Sequence, residues 1–214
     1  VFGSEPGIEY HREQHEYNSD VQNPKVLNAW RGRDEEVYKR AAQVALFHIT
    51  ADSQEEEKPL ELYCINNHFK SGPDRHVARR RAQADYTAAI VKGIQKFKED
   101  ALIAVGGDLN VYPRPNDPFR PSEDEYSSDQ LKSLYEADLY NLHEFMLEKY
   151  PEGAYTYVWA GQAQTLDQIF VTTSLKKLLT DCRAAHINAD WAPDFETEAS
   201  RAASDHDPVV ATFS

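Results

Sequence analysis

Ser204-Asp205-His206-Asp207-Pro208 sets an imidazole between two carboxylates, just ahead of the apolar run Val209-Val210-Ala211-Thr212-Phe213. An imidazole can take a proton from water near neutral pH, and a carboxylate can ligate a divalent cation or hold a charge. Adjacent residues at a strand end point in different directions, so Asp205 and His206 each need a partner from elsewhere in the chain. Three other stretches offer partners. In Leu166-Asp167-Gln168-Ile169-Phe170-Val171 a carboxylate sits in a strand-like apolar run, where it is costly unless paired. An imidazole whose tautomer it fixes is the natural partner, and His206 is the obvious candidate. In Gly106-Gly107-Asp108-Leu109-Asn110 two glycines allow close backbone approach. Asp108 and Asn110 then point one way, with Leu109 turned inward. A carboxylate beside a carboxamide suits a site that binds a cation or proton and also donates to a phosphate oxygen. The last stretch, Asn66-Asn67-His68-Phe69-Lys70-Ser71-Gly72, gathers an imidazole, an ammonium and a hydroxyl in one turn; His68 and Lys70 share a parity and can face one anion. Each stretch also has a plain structural reading, since Gly, Asp and Asn are common at strand ends and a turn Lys is commonly solvated.

These residues need strands to carry them. Residues 40–50 and 60–67 read as strands joined by an acidic turn at 52–59, and residues 101–105 as a short buried strand. Residues 75–98 form the one long helix, with Ala78, Ala82, Tyr86, Ala89, Ile90, Ile94 and Phe97 as its apolar stripe. A proline-rich loop with Pro113, Pro115, Pro118 and Pro121 leads through polar residues 122–129 to one or two short helices within 131–149. Residues 155–159 and 165–172 read as a strand pair joined through Gly161, residues 175–180 as a helical turn, and 181–187 and 208–213 as the last strands. Residues 1–36 read as irregular with at most a short strand. His11 and His15 could bind a metal only from a helix, and Pro6, Gly7 and the lack of an apolar face speak against one. Strands dominate and helices lie between pairs of them, which predicts two sheets packed face to face with helices outside, in a single α+β domain without repeats.

The 214 residues suffice for one domain or most of a larger one. A formal charge of −13 excludes nucleic-acid binding through bulk electrostatics and mildly favours a small substrate. A phosphate ester would have to be drawn by a metal cation and a few local bases. Cys64 and Cys182 each lie in an apolar run and are expected as free thiols. No run is long enough to span a bilayer. No secretory signal is present, and the start at Val1-Phe2-Gly3 reads as a mature or cut product.

Taken in chain order, from Asn66 to Pro208, the four stretches resemble the endonuclease/exonuclease/phosphatase superfamily, the fold of pancreatic deoxyribonuclease and the abasic-site endonucleases. Gly107-Asp108-Leu109-Asn110 and Ser204-Asp205-His206-Asp207-Pro208-Val209 carry the specific part. With Asn66 to Ser71, Tyr155-Thr156-Tyr157-Val158, Leu166-Asp167 and His186-Ile187-Asn188-Ala189-Asp190, the likeness is to the bacterial extracellular nuclease branch, over roughly residue 40 to the end. The resemblance implies a four-layer sandwich of two mixed sheets between helices. It implies hydrolysis of a phosphodiester with Mg²⁺, Mn²⁺ or Ca²⁺, on nucleic acid or another phosphodiester, by a secreted protein. In its terms His206 activates water and Asp167 orients it; Asp205 and Asp108 act on the metal or the attacking water; Asn110 and His68 hold phosphate oxygens; Lys70 adds local positive charge. The family's early strands, one ending in Asn and one ending in a metal-ligating Glu, have no counterpart in residues 1–39. An N-terminal fragment or second chain is therefore expected to complete the sheets, or metal binding to have been lost. Gln168 stands where this branch often carries His, which touches a secondary contact. A phosphatase or phosphodiesterase acting on inositol phosphates, lipid head groups or nucleotides, and a non-catalytic binding or structural module, are the alternatives.

Overall fold

The computed structural model describes residues 8–10, 25–28, 33–49, 59–72, 76–114, 129–191 and 203–214, with side chains from residue 37 onward. The His11/His15 pair, most of the acidic turn and residues 115–128 lie outside the described residues. In chain order the elements are β1 (Ile8–Tyr10), β2 (Lys25–Asn28), β3 (Arg33–Glu36), β4 (Gln43–Ile49), β5 (Leu60–His68), α1 (Val77–Phe97), β6 (Leu102–Asp108), α2 (Lys132–Tyr135), β7 (Leu139–Asn141) and α3 (Leu142–Lys149). There follow β8 (Tyr157–Trp159), β9 (Gln162–Gln164), β10 (Asp167–Thr172), α4 (Thr173–Lys176), β11 (Leu179–Ala184) and β12 (Val209–Phe213).

Six strands in the order β1-β4-β5-β6-β10-β7 make the main sheet, which is mixed: β5 and β6 run parallel and the other neighbours antiparallel. A parallel pair needs a crossover, and α1 is that crossover. Period-two alternation sends side chains to both faces. Ile103 and Val105 of β6 and Phe170 of β10 join one core with Ala84, Ala88, Val91 and Ile94 of α1 and Leu134 of α2. Leu102 and Ala104, with Ile169 and Val171, join the other, with Leu142 and Met146 of α3, Leu175 of α4 and Cys182 of β11. The antiparallel ribbon β11–β12 closes this second core with Val209, Ala211 and Phe213, while Thr180, Val210 and Thr212 face outward and are exposed. The architecture is an α+β sandwich whose second sheet has two strands among the described residues. Cys64 and Cys182 are free thiols, and burial pushes both pKa values up to about 11. No described helix is long and apolar enough to cross a membrane.

Several expectations need correction. Three short strands lie within the segment read as irregular, and β1 extends the main sheet by pairing with β4. A strand, β7, interrupts the stretch read as purely helical. The partner of β8 is β9, across the turn at Ala160 and Gly161, whereas β10 belongs to the main sheet. The buried face of α1 is also different: Ala78, Ala89 and Phe97 are exposed, and Val77, Arg80, Gln83, Ala84, Thr87, Ala88 and Val91 are buried with Ile90 and Ile94. Three polar residues occupy the inward face because each has fixed partners there. Thr87 donates to Asn67 Oδ1 or the Gln83 carbonyl and meets the buried Tyr38 hydroxyl at 2.8 Å. Arg80 and Gln83 hold the turn after β5, as described below.

Candidate functional site

Three neighbouring strands end side by side. His68 closes β5 opposite Asp108 of β6, and Asp108 is the cross-strand partner of Asp167, which opens β10. The His68 Nε2 and Asp108 Oδ2 atoms lie 3.7 Å apart. Gly107 makes this junction possible. Its φ is +126°, and a Cβ there would sit 2.0 Å from the Asn67 carbonyl oxygen, so β5 and β6 approach only without a side chain. Leu109 is fully buried. Asn110 turns back with φ +50°, a conformation Asn tolerates. Its backbone N–H donates to Asp108 Oδ1 at 2.9 Å and its amide to Asp108 Oδ2 at 2.8 Å and the Phe69 carbonyl at 3.3 Å. Contact between this amide and a phosphate oxygen therefore requires trading one of those bonds.

His206 arrives from the other sheet, on the loop leading into β12. Its Nδ1 lies 2.7 Å from Asp167 Oδ2. The Thr156 hydroxyl donates to the same oxygen at 2.7 Å and accepts from the N–H groups of Leu166 and Asp167 at 3.2 and 3.1 Å. With both lone pairs used, that hydroxyl has one direction left for its hydrogen, and the Asp167 carboxylate is held in one orientation. Asp167 in turn receives Nδ1–H and leaves Nε2 as the basic nitrogen. The hydrogen bond to Asp167 raises the His206 pKa above the usual imidazole value; burial opposes it, and the charges of Asp167, Asp108 and Asp205 add to the rise. Burial pushes the Asp108 carboxyl up, the Asp167 charge beside it pushes the same way, and His206, the Asn110 N–H and His68 pull it back.

Asp207 anchors the loop. Its buried carboxylate accepts from the N–H groups of Asn188 and Ala189 at 2.8 and 3.0 Å, and lies 3.0 Å from His186 Nδ1. Burial alone would raise its pKa, but these donors hold it below the usual value. The Asp207 N–H donates to the Thr156 carbonyl at 2.7 Å, so one residue orients Asp167 and tethers the loop bearing His206.

Asp108, Asn110, Asp167, Asp205, His206 and His68 all line one open cavity of about 990 Å³, walled by Tyr157 and Trp159. Asp205 is exposed at its rim. Lys70 is placed elsewhere: it lines an adjoining pocket with Lys39, Arg40 and Arg79, and His68 lies between the two, 2.9 Å from an Arg40 nitrogen. Donor atoms of Asp108, Asp167 and His206 lie within 4.8 Å of one another. The carboxylates of Asp108 and Asp167, brought together here, fit a hard divalent cation that keeps part of its water shell. Gln168 faces away, buried, accepting from Asn141 at 2.8 Å and donating to the Val111 carbonyl.

Thr156, Arg80 and Gln83 are not legible from the sequence as site residues. Arg80, fully buried, donates to the carbonyls of Lys70 and Gly72 and to Gln130, while Gln83 accepts from the Lys70 N–H. Together they fix the turn bearing His68. Arg80 is the middle of the run Arg79-Arg80-Arg81, which reads as a solvated charged face and gives no signal of burial.

No family model matches the chain, and no curated protein matches it. Solved structures do. A truncated TDP2 from Caenorhabditis elegans superposes with a TM-score of 0.51 at 18% identity, covering 82% of this chain and 61% of that one. A humanised TDP2 from D. rerio gives 0.53 at 15% identity over 97% and 68% of the two chains. A 3′-5′ exonuclease from Neisseria meningitidis gives 0.50 at 17% identity over 89% and 70%. This chain thus spans less than two thirds of the C. elegans structure. What is shared at these identities is the fold.

Proposed function

We propose that this chain carries the site of a divalent-metal-dependent phosphodiester hydrolase, in the first place a nuclease. The observation that carries the reading is the Thr156–Asp167–His206 relay ending beside Asp108 in an open cavity. The three-residue geometry is that of a base held in one tautomer. His206 Nε2 takes a proton from water as its oxygen bonds to phosphorus, and the ester oxygen leaves on the opposite side. The raised His206 pKa makes the imidazole a stronger base and moves the acid limb of the rate profile above the ordinary imidazole value. His68 donates to a non-bridging oxygen, and Asn110 does so once it releases Asp108 or Phe69. A cation held by Asp108 with Asp205 or Asp167 would neutralise charge building on the phosphate. Arg40 and Lys70 offset the acidic surface near His68.

Strands supplied from a further segment or a second chain, completing the two-stranded ribbon, belong to the same proposal, as does secretion, which rests on the motif likeness alone. The test is hydrolysis of DNA and of a phosphodiester dye ester with Mg²⁺, with and without chelator, by wild type and His206→Ala. Turnover that stops with chelator and falls about 10²–10⁴-fold in the variant is expected. Activity surviving excess chelator, or an unchanged variant, refutes the mechanism. No hydrolysis of nucleic acid, nucleotide or phospholipid leaves the binding module in its place.

A further inference from the structure

The β8–β9 hairpin overhangs the cavity, and its inward face has a composition that the hydrolytic reaction does not require. Directly opposed residues of an antiparallel pair share a face, as do residues two apart. Tyr157 pairs with Gln164 and Trp159 with Gln162, so these four share one face, and Val158 and Ala163 the other. All four line the cavity. The face is therefore two aromatic rings and two carboxamides, without charge, in a chain whose net charge is −13.

The rings form a ladder that begins at the proposed base. His206 and Tyr157 have ring centroids 4.6 Å apart, tilted 32°. Tyr157 and Trp159 follow at 6.4 Å, nearly parallel at 13°. The inner rungs cover one another, whereas Trp159 is 64% exposed, and among the described residues no further ring stacks on it. An isolated surface Trp needs no explanation. A Trp that continues a stack outward from the reacting imidazole, at the mouth of the cavity, does.

We propose that this hairpin is a stacking platform for an unpaired nucleobase of the substrate, with Trp159 as the outer ring and Gln162 and Gln164 as the groups that meet the base edge. The proposal rests on the phosphodiesterase reading and narrows its substrate to single-stranded or frayed nucleic acid. Every nucleobase has a π-face, and stacking on aromatic side chains is how strands are held without dependence on sequence. Carboxamides can both donate to and accept from base edges. An inositol phosphate or a phospholipid head group offers no π-face and would call for cations on this rim. A base inside a duplex has both faces covered, so only an unpaired one can occupy the platform.

The experiment measures binding of a cleavage-resistant phosphorothioate oligothymidylate and of the same backbone carrying abasic sugars, with Mg²⁺, by intrinsic tryptophan fluorescence and by anisotropy of a labelled strand. Wild type is expected to bind the base-bearing strand more tightly, with quenching. Trp159→Ala should weaken that binding roughly 5- to 150-fold, the range for losing one stacked base, and leave the abasic strand unchanged. Trp159→Phe should retain most of the affinity, since it keeps a ring. Equal binding of both strands by wild type, no binding of either, or a Trp159→Ala variant that still discriminates overturns the platform. Hydrolysis assayed in parallel separates the two readings: an active enzyme indifferent to Trp159 sinks the platform alone, and a base-discriminating protein without hydrolysis sinks the catalytic reading alone.

Discussion

Asp167→Asn is the substitution whose outcome the structure constrains most. In the wild type Asp167 Oδ2 accepts from both Thr156 Oγ and His206 Nδ1, each at 2.7 Å. The Thr156 hydroxyl cannot accept from a third donor, because the N–H groups of Leu166 and Asp167 already use its lone pairs. An Asn side chain must therefore place its oxygen where Oδ2 was, and it still accepts Nδ1–H. The tautomer survives and only the charge is lost. A hydrogen bond to a charged acceptor contributes about 1.5–3 kcal/mol and a neutral one about 1, so the loss is about 0.5–2 kcal/mol, on the order of 2- to 30-fold in rate. The acid limb of the pH–rate profile should move down, because the hydrogen bond to Asp167 is the largest cause of the raised His206 pKa. Adding Thr156→Val removes the constraint. The amide can then flip and donate to Nδ1, which puts the proton on Nε2 and should cost roughly a further 10²-fold. Steady-state rates against pH for both single variants and the double, with ¹⁵N NMR of the His206 ring to report the tautomer, make the test independent of the rate alone. If Asp167→Asn is as damaging as His206→Ala, or Thr156→Val adds nothing to it, the relay is wrong.

His206 has a folded-state pKa above 6.5, so its pairing contributes stability fully below that pH and loses it as pH rises through the folded value. Thermal melts of His206→Ala against wild type should accordingly differ more at pH 5.5 than at pH 9; a pH-independent difference contradicts the pairing. Gly107→Ala should destabilise by about 3 kcal/mol or more in urea unfolding, since the Asn67 carbonyl lies 2.0 Å from the new Cβ, and a loss under about 1 kcal/mol would mean the strands separate easily. Arg80→Met keeps the stem but strips partners from Gln130 and the carbonyls of Lys70 and Gly72, and should cost about 2–4 kcal/mol by the same measurement; a neutral result removes its role under the His68 turn.

The strand ends were readable because two local signals coincide there, an apolar run with period two and then Gly, Asp, Asn or His where a core has no use for them. His68, Asp108, Asp167 and His206 share one cavity for that reason. The face of α1 was misread because Arg80, Gln83 and Thr87 are inward only by virtue of hydrogen bonds to groups far away in sequence, such as Tyr38, Asn67 and Gln130. Periodicity weighs a buried arginine as a solvated one. Strand β7 escaped for a different reason: three residues carry too little pattern to stand out between helical segments. Thr156 looks like any strand threonine, and its importance exists only once β8, β10 and the last loop have met.

The bond between Asp167 and His206 also crosses the sandwich. Asp167 belongs to the main sheet, whereas His206 rides on the loop that enters the β11–β12 ribbon, and the core between them is the one containing Cys182, Val171 and Phe213. Under the proposed mechanism, proton transfer acts as an audit of assembly. A slip of about 1 Å between the layers leaves every strand intact, yet it parts the base from the carboxylate that aims it, so turnover should fail at milder heat or denaturant than circular dichroism records. On the proposed mechanism, a molecule built this way goes silent before it unfolds.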